Sequence, residues 1–208
     1  MSTFPESALW RAAQPLVLAS KSSVRRALLE GAGIALQVVP ADIDERALEA
    51  AAATADPGEI ASLLAREKAG TVAARQPSRL VLGADQTLAL GARVFSKPAD
   101  AAAAREQLKM LRGCTHELHA ALALMRDGTV VWEHRDTARL TMRAFSDTFL
   151  DAYVAATGKA LTASVGAYQV EGRGIQLFER IEGSYFTILG LPLLPLLAFL
   201  RREGLLAG

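Results

Sequence analysis

Apolar and polar positions along the chain switch repeatedly between a short-strand pattern and a helical one. Pro15 to Ala19 is a brief apolar run closed by Ser20, and Ser22 to Gly33 then carries Val24, Ala27, Leu28 and Gly31 at helical spacing. The pattern predicts a strand, then a helix stopping at Gly33. Leu36 to Val39 predicts a second strand, closed by Pro40. Asp56-Pro57-Gly58-Glu59 opens a helix that carries Ile60, Leu63, Leu64 and Ala65 to about Arg75. A proline in the first turn and an acid beside the positive helix end suit that start.

Leu80 to Asp85 predicts a compact strand ending on a carboxylate, and Ala99 to Leu111 a helix ended by Gly113. His116 to Met125 and Thr129 to Met142 read as long β segments joined at Asp127-Gly128, a strong hairpin signal. Ser146-Asp147 caps a helix through Ala156, Ile175 to Ile181 reads as a strand, and Leu193 to Glu203 as a closing helix ended by Gly204. Alternating strands and helices around a long hairpin predict an α/β fold with a mixed sheet. Ala50 to Ala55 reads only as Ala-rich helix or loop. With no repeat, low-complexity stretch or linker, the 208 residues read as a single domain, 1–208, or two tightly joined lobes.

Composition narrows the function. A chain that is 51% hydrophobic is no disordered tail. A net charge of +1 and 6% aromatic residues oppose a nucleic-acid binder, which needs a basic groove and stacking rings. An anionic ligand must then be held by a local cluster of cations. The single cysteine, Cys114, excludes an internal disulfide and a multi-cysteine metal site and fits a reducing compartment. Met1 to Gln14 includes Glu6 and Arg11 and lacks a signal-peptide core. Ile188 to Leu200 is broken by Gly190, Pro192 and Pro195, short of the ~20 residues a membrane span requires. The expectation is a cytoplasmic protein with no membrane partner.

Common catalytic motifs are missing: the chain has no P-loop and no GxSxG elbow, and Gly172-Arg173-Gly174 lacks the third glycine of a dinucleotide fingerprint. His116 and His119 read as two partly exposed strand histidines, and Cys114 as an inert turn residue. A more productive set is scattered. Ser20-Lys21-Ser22-Ser23-Val24-Arg25-Arg26 lies at a strand-to-helix junction, equipped for phosphate or simply for helix capping. Asp85 reads as a strand-end carboxylate at a ligand crevice or as a cap. Lys97, held extended by Pro98, and Lys68 read as ligand-facing cations or as surface charges. Asp42, Asp44 and Glu45 form an acidic loop that suits Mg²⁺ or water. Together these are parts for attack of water on phosphorus.

The stretch Leu18-Ala19-Ser20-Lys21-Ser22-Ser23-Val24-Arg25-Arg26-Ala27-Leu28-Leu29 resembles the opening signature of the Maf family of nucleoside triphosphate pyrophosphatases. Further blocks follow in family order: Asp42-Ile43-Asp44-Glu45, Ala65-Arg66-Glu67-Lys68-Ala69, Gly83-Ala84-Asp85-Gln86, Lys97-Pro98, Gly166-Ala167-Tyr168 and Gly190-Leu191-Pro192. The resemblance implies an elongated α/β fold of two lobes around a central cleft, often homodimeric. It also implies hydrolysis of a nucleoside triphosphate to the monophosphate and pyrophosphate with Mg²⁺ or Mn²⁺. By position, Asp85 matches the family's general base and a metal position, and Glu45 a second acidic position near the metal. Ser20, Arg25, Lys68 and Lys97 match triphosphate-binding positions. Val24, Gln86 and Glu171 depart from the branch acting on dTTP and UTP and are similar to the branch acting on 7-methyl-GTP. A carboxylate at Glu171 would accept from the donor-rich edge of guanine. A pyrimidine-type pyrophosphatase, or a nucleotide-binding regulator of division without catalysis, are the competing expectations.

Overall fold

Helix starts along the chain are set by short polar side chains that satisfy free backbone N–H groups. In the computed structural model, which describes residues 9–208, Ser22, Asp44, Asp56, Asp100 and Ser146 each accept from an N–H of the helix they open. The expectation resting on Glu6 lies outside the described residues. In chain order the elements are β1 (Leu16–Leu18), α1 (Ser23–Gly31), β2 (Leu36–Val38), α2 (Glu45–Ala51), α3 (Pro57–Ala73), β3 (Val81–Leu90) and β4 (Arg93–Phe95). There follow α4 (Ala101–Leu111), β5 (Thr115–Arg126), β6 (Thr129–Met142), α5 (Asp147–Thr157), β7 (Phe178–Glu182), α6 (Tyr185–Ile188) and α7 (Leu193–Arg202). Short 3₁₀ turns occupy Gly158–Thr162 and Arg173–Leu177.

Seven strands form one mixed sheet in the order β2-β1-β3-β5-β6-β7, with β4 also on β3. β1 runs parallel to β2 and β3, and the remaining pairs are antiparallel. The α/β class with a mixed sheet therefore holds. The β5–β6 turn is the one expected from Asp127-Gly128, and both residues take positive φ, 50° and 75°. Among the described residues no helix is long and apolar enough to cross a membrane.

Several expectations are corrected. β3 does not stop at Asp85 but continues to Leu90, so the carboxylate sits mid-strand. Both faces of β3 are covered, which removes the alternation that would have revealed its length. In α1 the fully buried position is Leu29, whereas Ala27 and Gly31 are exposed. The helix is rotated because Arg25, a polar residue, turns inward. Only the second half of Ile175–Ile181 is a strand; Arg173–Leu177 forms the 3₁₀ turn. His116 is not partly exposed: it is fully buried. The elements α2, β4 and α6, of seven, three and four residues, are too short for a hydrophobic period to announce them.

Three buried clusters line the sheet. One gathers Leu88, Phe95, Leu108, Leu111, Leu140, Leu150 and Tyr168 around α4 and α5. A second joins Leu18, Leu29, Leu82, Leu122, Leu196 and Phe199 beneath α1 and α7. The third is made of small residues, with Ala61, Ala65, Ala69 and Val72 of α3 against Val17, Val81 and Ala121. This last contact is close because Gly83 stands under the helix. A Cβ at Gly83 would lie 2.0 Å from the Ala65 carbonyl oxygen and 2.9 Å from Ala69 Cβ. Gly83→Ala should therefore push α3 off β3 and cost about 3 kcal/mol of stability, the upper range for overpacking. Urea unfolding measures this; an unchanged midpoint would contradict the close approach.

Candidate functional site

Gly83 and Asp85 share one face of β3, the face toward α3. The close approach at Gly83 therefore sets how far Lys68, on α3, stands from Asp85. Lys68 Nζ donates to Asp85 Oδ1 at 2.5 Å, and both residues are buried, 8% and 6% exposed. The same ammonium meets Glu45 Oε1 at 2.8 Å, from the first turn of α2. Burial raises the Asp85 pKa above the usual carboxylate range, while Lys68 and Arg25 pull it back down. Lys68 is thus no surface charge.

Arg25 reaches the same place from α1. Its Nε donates to the Gly190 carbonyl at 2.8 Å, and its Nη1 to the Ala84 carbonyl at 2.7 Å and Ser20 Oγ at 3.3 Å. Burial lowers the Arg25 pKa, and the Asp85 and Glu45 charges oppose that shift. Bracing from backbone carbonyls on two segments leaves the guanidinium little rotational freedom. Ser20 Oγ also accepts from the Ser22 N–H at 3.2 Å, while Ser22 caps α1. Backbone N–H groups, a hydroxyl and an arginine are thereby collected where β1 hands over to α1, a suitable cradle for phosphate oxygens.

These groups open into one cleft of about 840 Å³. Its walls include the residues matched by family position: Ser20, Val24, Arg25, Glu45, Lys68, Asp85, Gln86, Lys97 and Glu171. Lys97 and Glu171 are exposed on the rim. Gln86 is fixed by donating to the Thr187 carbonyl at 2.8 Å and the Ile188 carbonyl at 3.1 Å. Its amide hydrogens are spent on the protein, which leaves the acceptor oxygen. Asp44 also lines the cleft, and its side chain caps α2. A smaller hollow of about 170 Å³ beside Trp10 and Arg79 holds none of the predicted residues.

Glu49 and Tyr168 are among the cleft residues not assigned from the sequence. Glu49 lies one helical turn after Glu45, and its pKa is raised by burial and then by the Asp85 and Glu45 charges. Its i,i+4 spacing from Glu45 is the available signal, and it shows only once Glu45–Ala51 is known to be a helix. Tyr168 also lines the cleft.

Among the described residues no group of three or more His, Cys, Asp or Glu side chains forms a metal cage. Asp85 and Glu45 are nonetheless hard oxygen donors that meet at Lys68. Such a pair, with phosphate oxygens, matches how Mg²⁺ is usually held, through one or two carboxylates and the substrate. The donor set fits a hard divalent cation.

A family model described as Maf-like protein matches residues 15–203. The chain is 57% identical over 199 residues to a nucleoside triphosphate pyrophosphatase of Bradyrhizobium diazoefficiens, covering 96% of this chain and 98% of that protein. Against a protein of the same description from Rhodopseudomonas palustris strain HaA2, the identity is 57% over 199 residues, with the same coverage of 96% and 98%. It is 52% identical over 195 residues to a 7-methyl-GTP pyrophosphatase of Rhizobium etli, covering 93% and 98%.

The Lys68–Asp85 contact carries a pH prediction. A carboxyl whose folded pKa is raised contributes stability below its unfolded pKa and loses it as pH rises through the folded value. Lys68→Met removes the main opposing charge and raises the Asp85 pKa further. The stability gap between wild type and Lys68→Met should be small in acid and widen as pH rises, reaching about 3 kcal/mol near neutrality. Urea unfolding across pH measures it; a gap independent of pH would show that Asp85 does not depend on Lys68.

Proposed function

The chain belongs to the Maf-like family, and we propose that its cleft hydrolyses a nucleoside triphosphate to the monophosphate and pyrophosphate, with preference for a guanine-type base such as 7-methylguanine. The supporting observation is Asp85: a buried carboxylate in contact with Lys68 and inside the cleft that Arg25, Ser20 and Lys97 share. The coarse activity, a hydrolase releasing pyrophosphate, agrees with the relatives matched over nearly their full length.

In this reading Ser20, the backbone N–H groups at the start of α1, Arg25 and Lys97 bind the triphosphate oxygens. Their positive charge offsets the negative charge that builds up on phosphorus during attack. Asp85 accepts a proton from water as the oxygen forms its bond to the α-phosphorus. The α–β bridging bond breaks, and pyrophosphate leaves with the electron pair. Lys68 opposes the effect of burial by favouring the ionised form of Asp85, and it orients the carboxylate, since an ionised acceptor is what the step needs. A divalent cation, held by Asp85 and Glu45, would supply charge neutralisation and a more acidic bound water.

Base choice rests on what faces the base. Glu171 offers a carboxylate, and Gln86 retains only its acceptor oxygen because Thr187 and Ile188 take its N–H groups. Two acceptors favour the N1–H and exocyclic amine edge of guanine. The Rhizobium etli relative, described as a 7-methyl-GTP pyrophosphatase, is in keeping with that preference.

Asp85→Asn should lower pyrophosphate release by at least about 10²-fold while nucleotide binding persists. Binding without release in the wild type would instead mark a nucleotide-binding regulator. Glu171→Gln should reduce kcat/KM for 7-methyl-GTP by roughly tenfold more than kcat/KM for dTTP, the worth of one charged hydrogen bond. Equal losses on both nucleotides would remove Glu171 from base recognition, and a wild type that favours dTTP would place the chain with pyrimidine-type enzymes.

A further inference from the structure

The stretch from Ala163 to Gly172, which carries Glu171, contains no helix or strand. It is held by buried polar groups instead. Gln107 Nε2, on α4, donates to the Val165 carbonyl. Tyr153 Oη, on α5, donates to the Ala167 carbonyl at 3.3 Å. Ser164 Oγ donates to the Tyr168 carbonyl at 2.7 Å and accepts from the Tyr168 N–H at 3.2 Å. Ala167 takes a left-handed conformation, φ 58°, to complete the turn.

Tyr168 is the centre of this arrangement. Its ring lies edge-on to Phe178, with centroids 4.8 Å apart. Gly166 packs so close that a Cβ there would come within 2.2 Å of Tyr168 Cε1. The Tyr168 hydroxyl shares a hydrogen bond of 2.7 Å with His116 Nε2, on β5. His116 is fully buried, whereas Tyr168 lines the cleft. The pair therefore connects the interior of the sheet to the wall of the site.

Packing alone does not account for such a pair. Burial lowers the His116 pKa from 6.5 to about 4, so the ring is neutral near neutral pH, and its Nδ1 has no hydrogen-bond partner among the described residues. A buried polar atom without a partner costs stability that an apolar side chain would not lose. What the hydrogen bond provides in return is direction, because satisfied buried polar contacts select one arrangement of the groups they join.

We propose that His116 and Tyr168 are a positioning pair that sets where Glu171 stands in the cleft, so that selection of the base depends on a histidine with no access to the substrate. The inference rests on Glu171 as the base-recognising group. Neither residue of the pair is a catalytic residue: their effect is carried through the 163–172 backbone.

Tyr168→Phe tests this, because it removes the hydroxyl and keeps the ring against Gly166 and Phe178. The readouts are KM and kcat on 7-methyl-GTP and on dTTP, together with amide hydrogen exchange over residues 163–172. The expected result is a KM for 7-methyl-GTP raised about tenfold, with kcat and the dTTP KM changed less than about threefold, the worth of one buried hydrogen bond felt in ground-state binding. Exchange over 163–172 should become faster. His116→Gln, whose amide nitrogen can replace Nε2, should stay closer to wild type than His116→Leu. The double variant with Tyr168→Phe should be no worse than His116→Leu alone. Unchanged exchange in Tyr168→Phe, or loss of kcat at constant KM, overturns the proposal. Faster exchange in a chain whose wild type does not distinguish the two nucleotides supports the pair's hold on the segment and overturns only the Glu171 reading.

Discussion

A buried ammonium against a buried carboxylate is the contact on which this architecture turns. Lys68 and Asp85 are both largely removed from water and 2.5 Å apart. Either charge left alone in that position would be strongly destabilising, so each holds the other in place. The contact needs α3 to lie unusually near β3. Ala61, Ala65 and Ala69 make the helix face thin, and Gly83 removes the side chain that would hold it away. The small-residue seam is therefore part of the site: it fixes the height of the lysine above the carboxylate. Asp85 is held mid-strand by its register with Ala121 of β5, so the backbone beneath the charge is rigid.

This explains which parts could be read from the sequence. Elements with a long period or a strong punctuation mark were legible: the β5–β6 hairpin from Asp127-Gly128, α3 from Asp56-Pro57-Gly58-Glu59, and α7 from its apolar repeat. Elements whose lengths are set by tertiary coverage were not. β3 looked finished at Asp85 because a charge normally marks a strand's exit from the core. Lys68 removes that reason to leave, and a strand covered on both faces shows no alternation. The α1 face was misjudged for a related reason. Arg25 is drawn inward by the carbonyls of Ala84 and Gly190, partners far away in the chain that no local period can register. His116 is the same case, a polar residue buried by one distant hydroxyl.

The residues of the cleft were found by their types and family positions, yet their partners were not. Lysine, arginine and aspartate are visible as candidates wherever they occur. Which ones are removed from solvent depends on contacts such as Arg25 with Gly190, 165 residues apart. Glu49 was lost through its helix, since an Ala-rich segment with no buried side chain gives no amphipathic signal.

The site also divides along the sheet. Where strands are parallel, around β1 and β3, the start of α1 and the Lys68–Asp85 contact gather the groups suited to phosphate. Where the sheet becomes antiparallel, the cluster around α4 and α5 supports the irregular segment that carries Glu171. Gly190 joins the two halves. Its carbonyl accepts from Arg25, and a Cβ on it would sit 3.2 Å from Arg25 Nη2 and 3.4 Å from Gln86 Oε1. At φ 78° it adopts a backbone conformation that side chains disfavour. One glycine thus lets Arg25 and Gln86 be braced by the same turn. Their relative placement follows from backbone geometry, which is stiffer than any contact between the two side chains.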